Sequence, residues 1–396
     1  MMNKMRKFHG CYFAILLGLL GCSPPNKPLL NNQKPAMGEI RGVWLTNIDS
    51  DVMFTRKNIQ DGMRRLAESG FNVVYPVVYN DGYTMYPSEV MAKYFGNDNR
   101  QDSVFIANKI DPLAEIIFEA KKYNIKVIPW FEFGFSSSYN PPDNILAKYP
   151  QWAGRDREGN ILKKNGFTWL NAFHPDVQEF VMALVKEVID RYEVDGIQGD
   201  DRLPALPSSG GYDNYTVSEY RKEHNGQNPP QNYKDPAWLK WRADKLSDFG
   251  GRLYRMVKAK NPKLIVSLSP SVYPWSLEEY LQDWPEWIRR GQVDMLHPQA
   301  YRYEIERYKA TIDEMLRESG LDLKAGKVVL APGILIKAGP RFNDHTYVME
   351  ALHYNREKGL QGEVFFFYEG LFEQNQNLAD SLRARFYKKP TPFPWN

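Results

Sequence analysis

From Ile40 onward, short apolar runs alternate with longer segments whose apolar residues recur every three or four positions. The short runs are IRGVWLTN (40–47), NVVYPVVY (72–79), KVIPWFEF (126–133), VDGIQGDD (194–201), LIVSLSP (264–270), VDMLHPQAY (293–301), KVVLAPGIL (327–335) and GEVFFFYEGL (362–371). Each reads as a buried β-strand. Helices are predicted at TRKNIQDGMRRLAESG, DPLAEIIFEAKKYN, DVQEFVMALVKEVIDRY and around 237–260, with a further helix behind each later strand. Eight strands alternating with eight helices predict an α/β fold: a (β/α)8 TIM barrel over residues 39–396, in a single domain. The rival is an open doubly wound sheet. It would place a glycine-rich phosphate turn after the first strand, where this chain has NIDSDVMFTR. Long loops at about 80–110, 134–168 and 202–236 all follow strand C-termini, the face on which barrels build active sites.

Alternation along each strand sorts side chains between the barrel interior and the helix layer. In VDGIQGDD, Gln198 should avoid the apolar helix layer and point inward. Asp200 then points inward too, at the C-terminal mouth, while Asp201 begins the loop. His297, Gln299 and Tyr301 share one face, and Phe365, Phe367 and Glu369 another, which puts Glu369 at the mouth of the eighth strand. Trp130 and Glu132 end the third strand, Trp44 and Asn47 the first, and Tyr79, Asn80 and Asp81 the second. Some of these have plain structural alternatives. His297 also fits a satisfied core histidine, Glu369 a loop cap or a partner for Arg302, and Asp201 an orienting group for Arg202. Asp195 starts its strand and reads as structural.

The N-terminus has a different character. Lys4, Arg6 and Lys7 precede the ten-residue apolar run CYFAILLGLL. A membrane-crossing helix would need ~20 apolar residues, so residues 1–21 read as a signal peptide. Leu19-Leu20-Gly21-Cys22 resembles a bacterial lipobox, with Cys22 as the lipidated residue and 22–38 as a flexible tether. The expected product is a cell-envelope lipoprotein facing the periplasm, anchored in the outer membrane of a Gram-negative bacterium; a simple secreted protein is the alternative. Cys11 leaves with the signal, so the mature chain has one cysteine and no internal disulfide. Losing the three leader cations takes the formal charge from +3 to zero, which argues against a nucleic-acid partner.

Aromatic residues make up 14% of the chain, and rings near a barrel mouth can stack on sugars as well as fill a core. Carboxylates among such rings suit glycoside cleavage, in which one carboxyl donates a proton and another attacks or activates water. No HExxH, EF-hand spacing or GxSxG occurs, so neither a metal nor a cofactor nor a serine nucleophile is expected.

EIRGVWLTN, GFNVVYPVVYNDGYTMYPS, VIPWFEFGF, DGIQGDD, DMLHPQAYR and FFFYEGL, in that order over roughly 39–385, resemble glycosyl-hydrolase-like family 10. Members include division-site envelope lipoproteins that cleave peptidoglycan strands stripped of their peptides. The resemblance implies an amylase-like barrel, a polysaccharide substrate and an association with the cell-division machinery. It maps the family's strand-four acids onto Asp200 and Asp201, its strand-three motif onto Trp130 and Glu132, and its strand-six motif onto Gln299 and Tyr301. Many relatives carry His and a bulky residue before the two acids, where this chain has Gln198 and Gly199.

The expectation is therefore a hydrolase of a β-linked amino-sugar polymer, with peptide-free peptidoglycan as substrate. Asp200 is the nucleophile or base, and Glu132, Asp201 or Glu369 the acid. Trp44, Asn47, Tyr79, Trp130, Arg202, His297, Gln299, Tyr301 and Arg302 are expected to bind the glycan, with Arg202 or Arg302 on a muramyl carboxylate. Two alternatives stand beside it: a non-catalytic glycan-binding lipoprotein, and a hydrolase of another exported polysaccharide.

Overall fold

The computed structural model describes residues 38–96, 100–139, 143–326, 328–372 and 378–394. The predicted leader, Cys22 and all but the last residue of the tether lie outside the described residues.

Ten short strands form two five-stranded parallel sheets. One runs in the order Gly333–Leu335, Gly362–Phe366, Ile40–Leu45, Val73–Pro76, Lys126–Val127, and the other Val329–Leu330, Met295–Leu296, Ile265–Leu268, Gly196–Gly199, Trp130–Phe131. The third and seventh predicted strands are thus each split in two. Pro129 and Pro332 lie in the gaps, and a proline has no N–H to give a ladder. Before its gap the third strand pairs with Val73–Pro76; after it, Trp130 pairs with Gln198. The seventh pairs first with Met295–Leu296 and then with Gly362–Phe366. Pro298 likewise follows a sixth strand only two residues long.

The helices follow from their patterns. In Arg56–Ser69, Ile59, Met63 and Leu66 recur on one face and are buried. Thr55 caps the start by accepting from the Asn58 N–H. Gly70 ends it at φ +89°, a conformation that favours glycine. Asp111, Asp213 and Asp235 cap later helices in the same way as Thr55. The longest, Pro175–Arg191 and Pro236–Lys260, place Val181, Leu184, Leu246 and Leu253 in the same apolar cluster as Val43, Val74, Ile197 and Val364 of the strands. Among the described residues no helix is long and apolar enough to cross a membrane.

Two strand ends differ from expectation. The eighth strand stops at Phe366, and Glu369 opens the short helix Glu369–Phe372. The second stops at Pro76, and Tyr79 belongs to a separate two-residue hairpin strand, Tyr79–Asn80, paired with Tyr83–Thr84.

Candidate active site

The strand Gly196–Gly199 sets the floor. Gln198 is fully buried; its Oε1 accepts from Trp44 Nε1 at 2.6 Å, and its Nε2 donates to Ser267 Oγ at 2.9 Å. One step beyond the strand, Asp200 is only 2% exposed. Its Oδ1 accepts from Gln299 Nε2 at 2.6 Å and its Oδ2 from Arg202 Nη2 at 3.0 Å. Gln299 also donates to the Ser269 carbonyl at 3.2 Å, which fixes its amide.

Arg202 organises three carboxylates. Its Nε donates to the Glu132 carbonyl at 2.9 Å and its Nη2 to Glu132 Oε1 at 3.3 Å, the nitrogen that also holds Asp200. Nη1 lies 3.2 Å from Asp201 Oδ1, an ion pair without hydrogen-bond alignment. The guanidinium sits over Phe167 at 4.6 Å and Phe133 at 5.3 Å. Burial works against its charge, yet Asp201, Asp200 and Glu132 together raise it above the usual value. Its carbonyl accepts from the Phe135 N–H at 2.9 Å, which pins the loop after the third strand to this turn.

Glu132 Oε2 accepts from Asn80 Nδ2 at 2.6 Å. The same Nδ2 donates to Asn47 Oδ1 at 3.0 Å, and Asn47 in turn donates to Asp102 Oδ2 at 3.1 Å. Glu132 keeps 17% of its side chain exposed, enough to face a ligand in the mouth. Desolvation pushes it up to about 7; Arg202 opposes this, and Asp201 and Asp81 add to it. Burial also raises Asp200 well above its ordinary value, with Asp201 adding to it and Arg202 opposing. The three acids surround one cation, so the cluster is poised to hold a proton. Tyr301 stacks on Phe366 at 5.3 Å, and its hydroxyl is raised first by burial and then by Asp200, Asp201 and Glu132.

The structure therefore brings together Asp200, Asp201, Glu132, Arg202, Gln299 and Tyr301, with Asn47 reached from Glu132 through Asn80. Other predicted residues lie elsewhere. Tyr79 is buried on the helix side, 6.3 Å from Phe180. Arg302 turns to the helix layer, towards Tyr347 of the helix His345–Glu357 and Arg307 and Glu314 of the helix Ile305–Ser319. His297 is a core histidine: Nδ1–H donates to the Ala331 carbonyl at 2.8 Å, so Nε2 accepts from the Tyr75 hydroxyl at 2.9 Å. Burial lowers it to about 4, so it is neutral at working pH. Trp44 and Trp130 form the buried floor, their rings 6.3 Å apart. Glu369 accepts from Ser50, in the loop after the first strand. Arg202 is engaged by three carboxylates, so it has no spare charge for a substrate carboxylate.

Two neighbours of the cluster, Asn80 and Tyr280, were absent from the predicted site. Asn80 had a signal, a polar residue closing a predicted strand. Tyr280 had none, being in a short helix well past the fifth strand.

The glycosyl hydrolase-like 10 profile matches residues 39–348. The chain belongs to the glycosyl hydrolase-like 10 family. Among its relatives, the glycosyl hydrolase DigH of Escherichia coli is 24% identical over 350 residues, 76% of each chain. YngK of Bacillus subtilis, also named a glycosyl hydrolase, is 22% identical over 90% of this chain and 73% of its own. In fold, this family member resembles the glycoside hydrolase domain of PgaB (BpsB) from Bordetella bronchiseptica. That match has a TM-score of 0.63 and 16% identity, covering 88% of this chain and 98% of the other. It also resembles the β-amylase catalytic domain from Paenibacillus polymyxa, with a TM-score of 0.60, 11% identity, and coverage of 90% and 100%. A glycosyl hydrolase-like 10 chain with such relatives is a glycoside hydrolase.

Proposed function

We propose that the enzyme cleaves glycosidic bonds in peptide-free peptidoglycan strands, with Asp200 as nucleophile or base and Glu132 as general acid. The observation that carries this is the shared nitrogen: Arg202 Nη2 binds Asp200 at 3.0 Å and Glu132 at 3.3 Å. Burial pushes Asp200 towards its protonated form, but it receives the shorter contacts, from Gln299 and Arg202, and these donors oppose that push and favour the anion needed for attack. Glu132 has its longer contact at Oε1, where a proton can sit, and burial holds it at about 7. Asp201 adds negative charge beside both. Gln299 orients Asp200, and Asn80 orients Glu132.

The reading extends to the whole fold and the leader. The strands close into a (β/α)8 barrel forming one domain over 39–396. Bonds beside both proline gaps support this: Gln198 N–H to the Pro129 carbonyl at 2.8 Å, and Val364 N–H to the Pro332 carbonyl at 3.1 Å. The signal-peptide pattern and Cys22 support a lipid anchor in the envelope, and the family resemblance supports work at the division site.

Released reducing ends from peptide-free and peptide-bearing strands test the assignment. The unaltered chain should digest the first, and Asp200→Asn should lose at least ~10²-fold in rate. Equal release by Asp200→Asn removes Asp200 from the reaction. Binding without release by the unaltered chain makes it a glycan-binding protein, and release from a different exported polysaccharide reassigns the substrate.

A further inference from the structure

Beside the carboxylates, three loops meet around Tyr280. Trp275 and Tyr280 belong to the helix Trp275–Tyr280 after the fifth strand, and Lys164 and Asn165 to the hairpin after the third. Trp275 is 44% exposed, an unusual state for so large a ring, and its centroid is 5.3 Å from that of Tyr280. Tyr280 and Lys164 tie this corner to the cluster: the Tyr280 carbonyl accepts from the Leu206 N–H at 3.1 Å, and Lys164 pairs in its hairpin with Phe167, whose ring lies 4.6 Å from the Arg202 guanidinium.

Unused hydrogen-bond donors collect here. Asn165 Nδ2 donates to the Tyr280 hydroxyl at 2.9 Å. Among the described residues no acceptor takes the hydroxyl's own proton. The Lys164 ammonium lies 4.4 Å from the Tyr280 ring centroid and donates to Glu279 Oε2 at 2.7 Å and to the Glu279 carbonyl at 3.0 Å. An ammonium has three donors, so one remains. Lys234 Nζ also pairs with Glu279, at 2.6 Å. Two cations therefore converge on the Glu279 carboxylate, and Glu278 is the next acid acting on Lys234.

We propose that Trp275, Tyr280, Lys164 and Asn165 form a second sugar position next to the cleavage point, selective for a pyranose bearing a carboxylate. The indole face of Trp275 stacks on the sugar ring. The spare donors of Lys164 and Tyr280 take the carboxylate. This replaces Arg202 and Arg302, the two arginines expected to bind such a group, since one is saturated and the other faces the helices. It rests on the glycan reading of the same mouth, and it adds which unit of the glycan is recognised.

Calorimetric binding to the full chain carrying Asp200→Asn tests it without turnover. The probes are a peptide-free N-acetylglucosaminyl–N-acetylmuramyl tetrasaccharide and the same molecule with its carboxylates converted to amides. The acid should bind about tenfold more tightly than the amide, the scale of one charged hydrogen bond. Adding Lys164→Gln should abolish that preference, and Lys164→Arg should keep it. Trp275→Ala should weaken both probes alike, by about tenfold. Equal affinity for acid and amide, a preference that survives Lys164→Gln, or unchanged binding in Trp275→Ala would each overturn the proposal. Absent release of reducing ends by the chain with Asp200 intact would count against the hydrolase reading alone, because these affinities need no catalysis.

Discussion

Replacing Glu132 with Gln removes an ionisable proton and keeps the shape that Asn80 grips. In the intact chain Glu132 is held at about 7, against 4.5 for an ordinary glutamate, mainly by desolvation. A general acid works only when protonated, so its contribution is full below that value and is lost as pH rises through it. One pH unit above, about one molecule in eleven keeps the proton, so kcat/KM should fall ~10-fold per further unit. Glu132→Gln should abolish this alkaline limb and lower the rate at pH 6 by ~10²–10⁴. An aryl glycoside with a nitrophenol leaving group needs little protonation and should lose far less. Stability should also fall as pH rises. The folded state binds this proton more tightly than the unfolded state, so stability falls as pH rises from ~4.5 to ~7 and then levels. The gap of about 2.5 units bounds the effect at ~3 kcal/mol. Glu132→Gln should therefore unfold at higher urea than the parent at pH 8. An alkaline limb near pH 7 that survives in Glu132→Gln, with equal losses on both leaving groups, would refute the assignment.

Arg202→Ala leaves Asp200, Asp201 and Glu132 without their shared cation. It should cost ~3–5 kcal/mol in urea unfolding at pH 8 and less at pH 5, where protonation relieves the repulsion. His297→Ala strands the Tyr75 hydroxyl and the Ala331 carbonyl in the core, so thermal unfolding should show a loss of ~2–5 kcal/mol. The pH profile of that variant should keep the alkaline limb of the parent. Finally, Asp200 Oδ2 and Glu132 Oε1 touch one nitrogen, so their separation cannot exceed those two contacts laid end to end. With one nitrogen bridging these facing oxygens, little room is left for the water that inverting enzymes hold between carboxyls ~6.5–9.5 Å apart, so the first product seen by proton NMR should retain its anomeric configuration.

Alternation along a strand was informative wherever the strand persisted. It turned Gln198 inward beneath Asp200. Gln299, whose bridge to Gly333 prolongs the sixth strand, likewise faces inward onto Asp200. The rule failed where the backbone left the strand. Tyr79 lies in a hairpin beyond Pro76, and Glu369 in a helix beyond Phe366, so a period of two no longer fixed their direction. Prolines 129, 298 and 332 mark three of the places where ladders stop, and they could have been read that way. Partnerships across the chain were beyond any local pattern. Asn80 meets Glu132 across 52 positions and Arg202 meets it across 70, contacts created only when strand ends converge.

The pair Gln198-Gly199, where many relatives have His and a bulky residue, now has a physical account. A Cβ on Gly199 would lie 2.3 Å from the Leu203 carbonyl oxygen and 2.9 Å from Leu268 Cδ2. The first neighbour is backbone and cannot step aside cheaply. The chain therefore doubles back tightly after Gly199, with the Leu203 N–H bonded to the Asp200 carbonyl at 3.0 Å. That turn brings Arg202 back over Asp200 and onto Glu132. A larger residue at 199 would force another path for 200–203 and move the guanidinium off the acids. Gln198 completes the arrangement from below by spanning Trp44 and Ser267. Here the turn that glycine permits, rather than a histidine, fixes the charge that sits between the two carboxyls.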